Sequence, residues 1–166
     1  MGHSSDVTGL AWSTDGKYLA SCALDKTIII WSAQNFSMLA KLEEHQGFVK
    51  GISFDPLGKY LASQADDNSL LIWRTRDWKI EKKIEDPFKN STDESFFRRL
   101  SWSADGSFVV AANASSGASV EEGNVAVAAV IDRQNWNATL SLVGHSASIE
   151  STVLSHVIVG LSSFSL

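Results

Sequence analysis

The chain has 166 residues, 44% of them hydrophobic and 20% charged, a composition typical of a globular domain with a sizeable core. Its net charge of −5 argues against general affinity for the nucleic acid backbone or for anionic membranes, so we predict neither sequence-specific nucleic acid nor a membrane as a partner. The single cysteine, Cys22, excludes an intramolecular disulfide, and no apolar stretch is long enough to predict a transmembrane helix.

Internal repetition is the dominant feature of the sequence. Eight pairs of identical or similar residues are separated by 42 positions, and a period of about 40–45 residues is typical of one four-stranded blade of a β-propeller. Each unit therefore predicts one blade. The pairs are His3/His45, Trp12/Phe54, Gly16/Gly58, Tyr18/Tyr60, Ser21/Ser63, Asp25/Asp67, Trp31/Trp73 and Phe36/Trp78.

The first two units predict only strands, because short apolar runs are bounded by turn residues and no helical periodicity is present. In the turns Ser13–Gly16 and Asp55–Gly58, the closing glycine allows a backbone conformation that larger residues adopt only at a cost. The predicted strands are Val7–Trp12, Tyr18–Cys22, Thr27–Trp31 and Leu39–Leu42 in the first unit, and Val49–Phe54, Tyr60–Gln64, Leu70–Trp73 and Lys79–Ile84 in the second.

A third unit follows, with two insertions. Trp102 lies 48 residues after Phe54 instead of 42, so six residues are inserted near Pro87–Ser95. The turn and the second strand, Phe108–Ala112, repeat the earlier pattern. A second insertion, Asn113–Asn124, is rich in Ser, Ala and Gly and predicts a mobile loop.

These units predict an all-β fold, a partial β-propeller of about three four-stranded blades and the start of a fourth. Three blades leave open sheet edges and uncovered faces, which favour aggregation or pairing, so the remaining blades of a longer chain are predicted partners. The last residues lack the repeat, and we expect an aberrant or disordered tail from a truncated or mis-spliced gene model. The predicted boundaries are 3–44, 45–92 and 93–144 for the blades, 145–150 for the start of the fourth, 1–150 for the propeller domain and 151–166 for the tail.

A histidine, a serine, an aspartate and a tryptophan recur together in the first two units. The histidine, serine and aspartate raise the alternative of a hydrolase. A catalytic triad, however, needs an exposed nucleophile, a base and an oxyanion hole, and an enzyme needs only one such set. Repetition at equal spacing favours a structural network, in which the indole N–H donates to the hydroxyl, the hydroxyl to the imidazole and the imidazole to the carboxylate. The two predicted structural tetrads are His3, Ser21, Asp25 and Trp31, and His45, Ser63, Asp67 and Trp73.

The third unit lacks this tetrad, because Asp93, Ala111, Val125 and Ile131 stand at the equivalent positions. Joint loss is expected of an interdependent network, since a partial one leaves buried polar groups unpaired. The sequence also has no glycine-rich phosphate loop and no Cys/His cluster with metal-ligand spacing. We therefore predict no catalytic residue, no metal site and no cofactor, in a protein that is not an enzyme.

Five side chains are candidates for contacts with a partner. The basic ones have the simpler alternative of solvated positions in turns or at strand edges. The two tryptophans, frequent binding anchors elsewhere, share the repeat position of Phe36, which favours packing at the start of an outer strand instead. The candidates are Arg74, Arg76, Trp78, Arg98 and Trp136.

The sequence resembles the WD-repeat superfamily. The likeness rests on the Gly-His dipeptide, the turn aspartate and the strand-ending tryptophan of the repeat units. It departs at Trp31-Ser32 and Trp73-Arg74, where the superfamily has Trp-Asp. The resemblance implies a partial WD-repeat β-propeller that serves as a protein-binding scaffold.

Over residues 2–149 the chain also resembles the N-terminal propeller of HIRA-type histone chaperones, the HIR-complex subunits. The strings Ala62-Ser63-Gln64-Ala65-Asp66-Asp67 and Trp73-Arg74-Thr75-Arg76-Asp77-Trp78 carry this likeness. It implies replication-independent nucleosome assembly and transcriptional repression in the nucleus. The implied partners are histone chaperone complex subunits, ubinuclein-like proteins and, indirectly, histones. The alternative is a generic WD-repeat adaptor, such as the propeller subunit of chromatin assembly factor or a scaffold in ubiquitin ligation or signalling.

Overall fold

The structure, a computed structural model, describes residues 2–89, 91, 95–115, 126–145 and 147–154. Twelve strands are present in these residues. No helix among them is long and apolar enough to cross a membrane. The strands are β1 (Val7–Trp12), β2 (Tyr18–Ala23), β3 (Ile28–Ser32), β4 (Met38–Leu42), β5 (Val49–Phe54), β6 (Tyr60–Ala65), β7 (Ser69–Arg74), β8 (Ile80–Ile84), β9 (Ser101–Trp102), β10 (Phe108–Ser115), β11 (Ala126–Asp132) and β12 (Ala138–His145).

The strands form three four-stranded antiparallel sheets, β1–β4, β5–β8 and β9–β12, and neighbours in sequence are neighbours in space. The repeat extends to the register of the strands, because Leu10 pairs with Ser21 as Ile52 pairs with Ser63. This up-and-down order is that of a propeller blade. The predicted all-β partial propeller is therefore confirmed.

The third blade departs from the regular pattern at its inner edge. Its first strand, β9, has only two residues, and they pair with Val109 and Val110 of β10. Part of the first predicted insertion forms a short 3₁₀ helix, Asp86–Phe88. This helix carries Phe88 into the apolar core between the second and third blades, where the side chain is fully buried. The insertion thus supplies core volume as well as length.

The second strand of the third blade, β10, is three residues longer than predicted. It continues through a register shift between Ala111 and Ala114, and Asn113 adopts a φ of 58° there. The buried Asn113 side chain accepts a hydrogen bond from the Ile149 N–H at 2.8 Å. The predicted loop Asn113–Asn124 thus begins within a strand, and its residues 116–124 lie outside the described residues.

The hydrophobic cores lie between blades. The forward face of each blade, defined as the face that packs on the next blade, contacts the rear face of that next blade. At the first interface, the forward face is Ala20, Cys22, Ile28, Ile30 and Leu42, and the rear face is Ile52, Phe54, Leu61, Leu71 and Trp73. At the second interface, the forward face is Tyr60, Ala62, Leu70, Ile72 and Ile84, and the rear face is Leu100, Trp102, Val109, Ala129 and Ile131.

A buried ion pair joins the second and third blades at the turn end of the strands. Arg133 donates from Nη1 to Asp55 Oδ1 at 2.7 Å and from Nη2 to Asp55 Oδ2 at 2.9 Å. The Asp55 side chain is fully buried, and the Arg133 guanidinium also lies 4.9 Å from the centre of the Tyr60 ring. Sequence reasoning missed this pair, because its members are 78 residues apart and do not follow the repeat.

The first strand of the second blade, β5, closely approaches the segment that precedes β9 in the third blade. The Arg98 backbone N–H donates to the Lys50 carbonyl oxygen at 3.0 Å. A Cβ atom on Gly51 would lie 1.7 Å from the Arg98 carbonyl oxygen. Only glycine therefore permits this approach of the second and third blades.

We expect Gly51→Ala to lower the free energy of unfolding by about 1–3 kcal/mol, because the added methyl group meets backbone that cannot rotate away. Denaturant titration followed by tryptophan fluorescence measures this loss. Gly9→Ala is the matched control at the equivalent position of the first blade, where the added Cβ would lie 3.0 Å from Cys22 Sγ. Equal losses in the two variants would contradict the close approach.

Residues 147–154 lie along the inner edge of the third blade. Ser151 forms a parallel bridge with Arg99, and the Arg99 backbone N–H donates to the Glu150 carbonyl oxygen at 3.1 Å. Ile149 is buried against the third blade. Of the predicted tail, Ser151 and Thr152 thus bond to the third blade, Val153 is exposed, and residues 155–166 lie outside the described residues.

Candidate functional site

The second-blade tetrad joins a loop, a turn and two strands. His45 precedes β5, Ser63 lies on β6, Asp67 lies in the turn after β6, and Trp73 lies on β7. Trp73 Nε1 donates to Ser63 Oγ at 2.8 Å, and Ser63 Oγ lies 2.8 Å from His45 Nε2. His45 Nδ1 lies 2.9 Å from Asp67 Oδ2. With the proton on Nδ1, each group in the chain from indole to carboxylate has a partner.

The first-blade tetrad has the same geometry. Trp31 Nε1 donates to Ser21 Oγ at 2.9 Å, and Ser21 Oγ lies 2.7 Å from His3 Nε2. His3 Nδ1 lies 3.0 Å from Asp25 Oδ2. Trp31 is only partly buried, whereas its counterpart Trp73 is buried. The structure therefore brings together all eight of the predicted tetrad residues, in two sets that differ in solvent access.

Each tetrad has two further members, which sequence reasoning missed. The Thr27 hydroxyl donates to Asp25 at 2.8 Å, and the Ser69 hydroxyl donates to Asp67 at 2.7 Å. A backbone N–H also donates to each carboxylate, from Ser4 at 2.9 Å in the first blade and from Gln46 at 2.8 Å in the second. A sequence signal existed, because a hydroxyl residue stands two positions after the aspartate in both units.

The geometry leaves neither serine free to attack a substrate. Ser63 is fully buried, and its Oγ accepts a hydrogen bond from Trp73 and meets the imidazole of His45 on its other side. Ser21 is also buried and has the same two kinds of partner. Among the described residues, no group of three or more His, Cys, Asp or Glu side chains is placed to hold a metal ion.

Both turn aspartates are held in their ionised form. Burial raises the pKa of Asp25, but the Ser4 N–H and the Thr27 hydroxyl and N–H outweigh it and lower this pKa to about 2. Burial also raises the pKa of Asp67. The hydrogen bond and the charge interaction with His45, together with the Ser69 hydroxyl and the Gln46 N–H, outweigh burial and hold this pKa well below its usual range. The carboxylates are therefore acceptors at neutral pH.

The aspartates of the tetrads make the free energy of unfolding depend on pH in the acid range. Because the folded pKa of Asp25 is lowered, its contribution is present above the unfolded pKa of about 3.9 and is lost as pH falls through about 2. We expect the free energy of unfolding, measured by denaturant titration, to fall across this window. The decline should be shallower in Asp25→Asn, whose side chain does not titrate, and an unchanged slope would contradict this origin.

The third blade has apolar side chains at the two tetrad positions that the structure describes. Ala111 and Ile131 are fully buried in the core shared with the second blade. The other two equivalents, Asp93 and Val125, lie outside the described residues. His145, which follows the third unit, is exposed at the end of β12.

The three basic candidates for partner contacts have different environments. Arg74 is paired with Asp77 at 3.1 Å and with Glu81 at 3.3 Å. The Arg76 side chain is 77% exposed. Arg98 is only 2% exposed, with Nε 3.4 Å from Asp66 Oδ1, so its prediction as a partner contact was wrong. A guanidinium buried next to a carboxylate does not reach a partner.

The two tryptophan candidates pack between blades. Trp78 contacts Tyr18 of the preceding blade edge to face, with ring centres 5.2 Å apart. Trp136 makes the same contact with Tyr60, also at 5.2 Å. Both tryptophans are thus packed near the start of an outer strand, which was the alternative to a partner contact. Phe36 occupies the same repeat position in the first blade, and it is exposed.

Strands tied together by a repeated His–Ser–Asp–Trp network define a class of protein, the WD-repeat propellers. The family model "WD domain, G-beta repeat" matches residues 1–32 and 36–74, which contain strands β1–β3 and β4–β7. A solved structure described as "Structure of U3-55K" has a TM-score of 0.70 and 27% identity, and the match covers 90% of this chain and 41% of that one.

Curated relatives narrow the class further. The chain is 50% identical over 150 residues to Protein HIR1 of Cryptococcus neoformans, which covers 90% of this chain and 16% of the relative. It is 46% identical over 154 residues to Protein HIR1 of Mycosarcoma maydis, a match that covers 93% of this chain and 15% of the relative. It is 41% identical over 152 residues to Protein hir1 of Schizosaccharomyces pombe, a match that covers 92% of this chain and 16% of the relative. The chain carries WD40 repeats and is homologous to the HIRA-type HIR1 proteins, as the sequence predicted, and it spans about a sixth of their length.

Proposed function

We propose that the chain is a non-catalytic protein-binding scaffold, part of a HIRA-type propeller. The closed geometry of the two tetrads carries this proposal, because each buried serine already has an indole and an imidazole as partners. A catalytic serine needs an exposed hydroxyl and a free approach for its substrate. The polar residues that suggest a hydrolase therefore stabilise blades.

The cellular role we propose is replication-independent nucleosome assembly and transcriptional repression in the nucleus. Homology to HIR1 proteins over nine tenths of the chain supports this role. The proposed partners are other histone chaperone complex subunits, ubinuclein-like proteins and, through them, histones. The net charge of −5 favours such basic partners over nucleic acid.

Arg76 is the strongest of the original partner-contact candidates. Its side chain is mostly exposed and makes one long ion pair, 4.0 Å to Asp77, whereas Arg74 is paired with both Asp77 and Glu81. The indoles of Trp78 and Trp136 are already packed on tyrosines of the preceding blade. We therefore propose that a partner bound at the turn between β7 and β8 contacts Arg76, and that Arg74 lies at the periphery of this contact.

A chimera tests the proposed role. Residues 2–154 of this chain would replace the matching segment of Schizosaccharomyces pombe hir1, with which the chain is 41% identical. We expect the chimera to accumulate as soluble protein, to recover histones and ubinuclein-like proteins on purification and to restore repression of a reporter gene. A soluble chimera that recovers none of these partners would contradict the HIRA-type role.

The matched control separates this role from a generic WD-repeat adaptor. The corresponding segment of U3-55K has the same fold at 27% identity to this chain. A chimera that carries this segment should be soluble but should fail to recover the partners. Equal recovery by the two chimeras would show that any propeller segment suffices, and it would favour the generic adaptor.

A further inference from the structure

The same cluster of three aromatic rings occurs at both interfaces between blades, at the turn end of the strands. At the first interface, Tyr18 meets Trp78 edge to face with ring centres 5.2 Å apart, and Phe54 lies 6.5 Å from the same indole. At the second interface the corresponding distances are 5.2 and 6.4 Å, so the cluster follows the repeat. The equivalent rings there are those of Tyr60, Trp136 and Trp102.

At the second interface this cluster holds a cation of the protein itself. The guanidinium carbon of Arg133 lies over the Tyr60 ring, 4.9 Å from its centre, and 5.9 Å from the centre of the Trp102 ring. Both terminal nitrogens bond to the Asp55 carboxylate. The guanidinium also fills the space beside Gly106, where an added Cβ atom would lie 2.8 Å from Arg133 Nη1. Such a cation over aromatic faces is a favourable arrangement.

The equivalent place at the first interface is open. Thr75 stands at the repeat position of Arg133, but its short side chain ends at the Gly58 carbonyl oxygen, to which its hydroxyl donates at 2.7 Å. A Cβ atom on Gly58 would meet no other described atom within 4 Å, apart from its chain neighbours. Among the described residues, no arginine or lysine lies over the three rings of the first interface.

The adjoining turn of the first blade supplies a carboxylate. Ser13 stands at the repeat position of Asp55, and Asp15, two residues later, accepts a hydrogen bond from Ser13 Oγ at 2.8 Å. The Thr14 hydroxyl donates to the Asp55 carbonyl oxygen at 3.0 Å, so this turn contacts the second blade. The Lys17 ammonium leads the groups that lower the pKa of Asp15 to about 2. Because the Lys17 side chain is 71% exposed, this ion pair is weak and another cation can replace it.

We infer that the first interface binds an arginine side chain of a partner protein, with the guanidinium against Tyr18 and Trp78 beside Gly58 and with Asp15 as its counter-ion. The chain's own guanidinium occupies the equivalent place at the second interface, which favours arginine over lysine. Thr75 and Arg76 are neighbours in the turn between β7 and β8, so the site adjoins the proposed partner contact. The inference rests on the proposed scaffold function and names one group that the partner presents.

Fluorine NMR of the full chain, with 5-fluorotryptophan at its six tryptophans, tests the inference. The probe is the blocked peptide acetyl-Gly-Arg-Gly-amide. The matched control peptide carries citrulline, which has nearly the shape of arginine without its charge. We expect the Trp78 line, assigned with Trp78→Phe, to shift saturably with the arginine peptide. The citrulline peptide should bind at least about fivefold more weakly.

Two variants locate the site. Thr75→Arg supplies a guanidinium from the chain itself and should weaken binding of the arginine peptide at least about tenfold. Asp15→Asn removes the counter-ion and should weaken binding about threefold or more. Asp105→Asn is the control with unchanged affinity, because Asp105 has the same place as Asp15 in the turn of the third blade. The Trp102 line, at the second interface, should keep its position in all three variants if the blades stay folded.

Equal affinities for the arginine and citrulline peptides, or unchanged affinity in either Thr75→Arg or Asp15→Asn, would overturn the inference. The chimera with Schizosaccharomyces pombe hir1 separates this failure from failure of the proposed function. If the chimera recovers its partners while the arginine peptide does not bind, the arginine site is wrong and the scaffold function stands. A soluble chimera that recovers no partner contradicts the HIRA-type role, whatever the peptide does.

Discussion

Asp55→Ala should lower the free energy of unfolding by about 3–5 kcal/mol, because it leaves the Arg133 guanidinium without its counter-ion between two blades. The carboxylate is fully buried and accepts two parallel hydrogen bonds from Arg133. Among the described residues, the guanidinium then keeps only the Gly106 carbonyl, 3.1 Å away, and the rings of Tyr60 and Trp102. Denaturant titration at low protein concentration measures the loss.

Two further variants isolate the buried pair. Asp86→Ala removes a carboxylate that is paired with Lys89 on the surface, and it should cost less than about 1 kcal/mol. Combining Asp55→Leu with Arg133→Met removes both charges and should recover part of the stability, because no ion is left buried alone. The recovery is incomplete because the Leu57 and Lys59 backbone N–H groups still lose the carboxylate as acceptor. Equal losses for Asp55→Ala and Asp86→Ala would show that the buried pair does not join the blades.

Ser63→Ala should lower the free energy of unfolding by about 3 kcal/mol, since it orphans two buried groups that each cost about 1–3 kcal/mol when unpaired. The two groups are the Trp73 indole N–H and the His45 Nε2 atom. Denaturant titration followed by tryptophan fluorescence measures the change. A hydrolase would show the opposite pattern, with unchanged stability and lost activity.

Ser21→Ala is the internal control for this effect. The same four residue types form the first-blade tetrad, but Trp31 is partly exposed, so water can replace part of the lost hydrogen bonding. We expect Ser21→Ala to cost clearly less than Ser63→Ala. If the first-blade variant lost more stability, burial would not be the source of the effect.

The repeat itself predicted much of the fold and of the candidate site. The contacts that hold the strands of one blade together lie within that blade, so the residues that make them recur with the period of the repeat. Trp73 reaches Ser63 because the two strands are adjacent in one blade, and the spacing of His45 and Asp67 follows from the same hairpins. The turn glycines follow the same rule, with φ of 69° at Gly16 and 71° at Gly58.

Contacts between blades were harder to predict. Arg98 stands two residues after an exposed phenylalanine in a polar segment, and nothing local distinguishes it from a solvated arginine. Its burial follows from the position of Asp66 on the neighbouring blade. The pairing of Asp55 with Arg133 likewise depends on contact between two blades, because the two residues are far apart in the sequence.

The sequence by itself determined the number and type of blades, the tetrads within them and the family likeness, because these features are repeated and local. Only the tertiary structure decided which equivalent residues are covered. Trp78 and Phe36 occupy the same repeat position, yet Trp78 packs on Tyr18 of the preceding blade and Phe36 is exposed. The physical reason is that burial on a blade face depends on the neighbouring blade, which lies in another part of the chain.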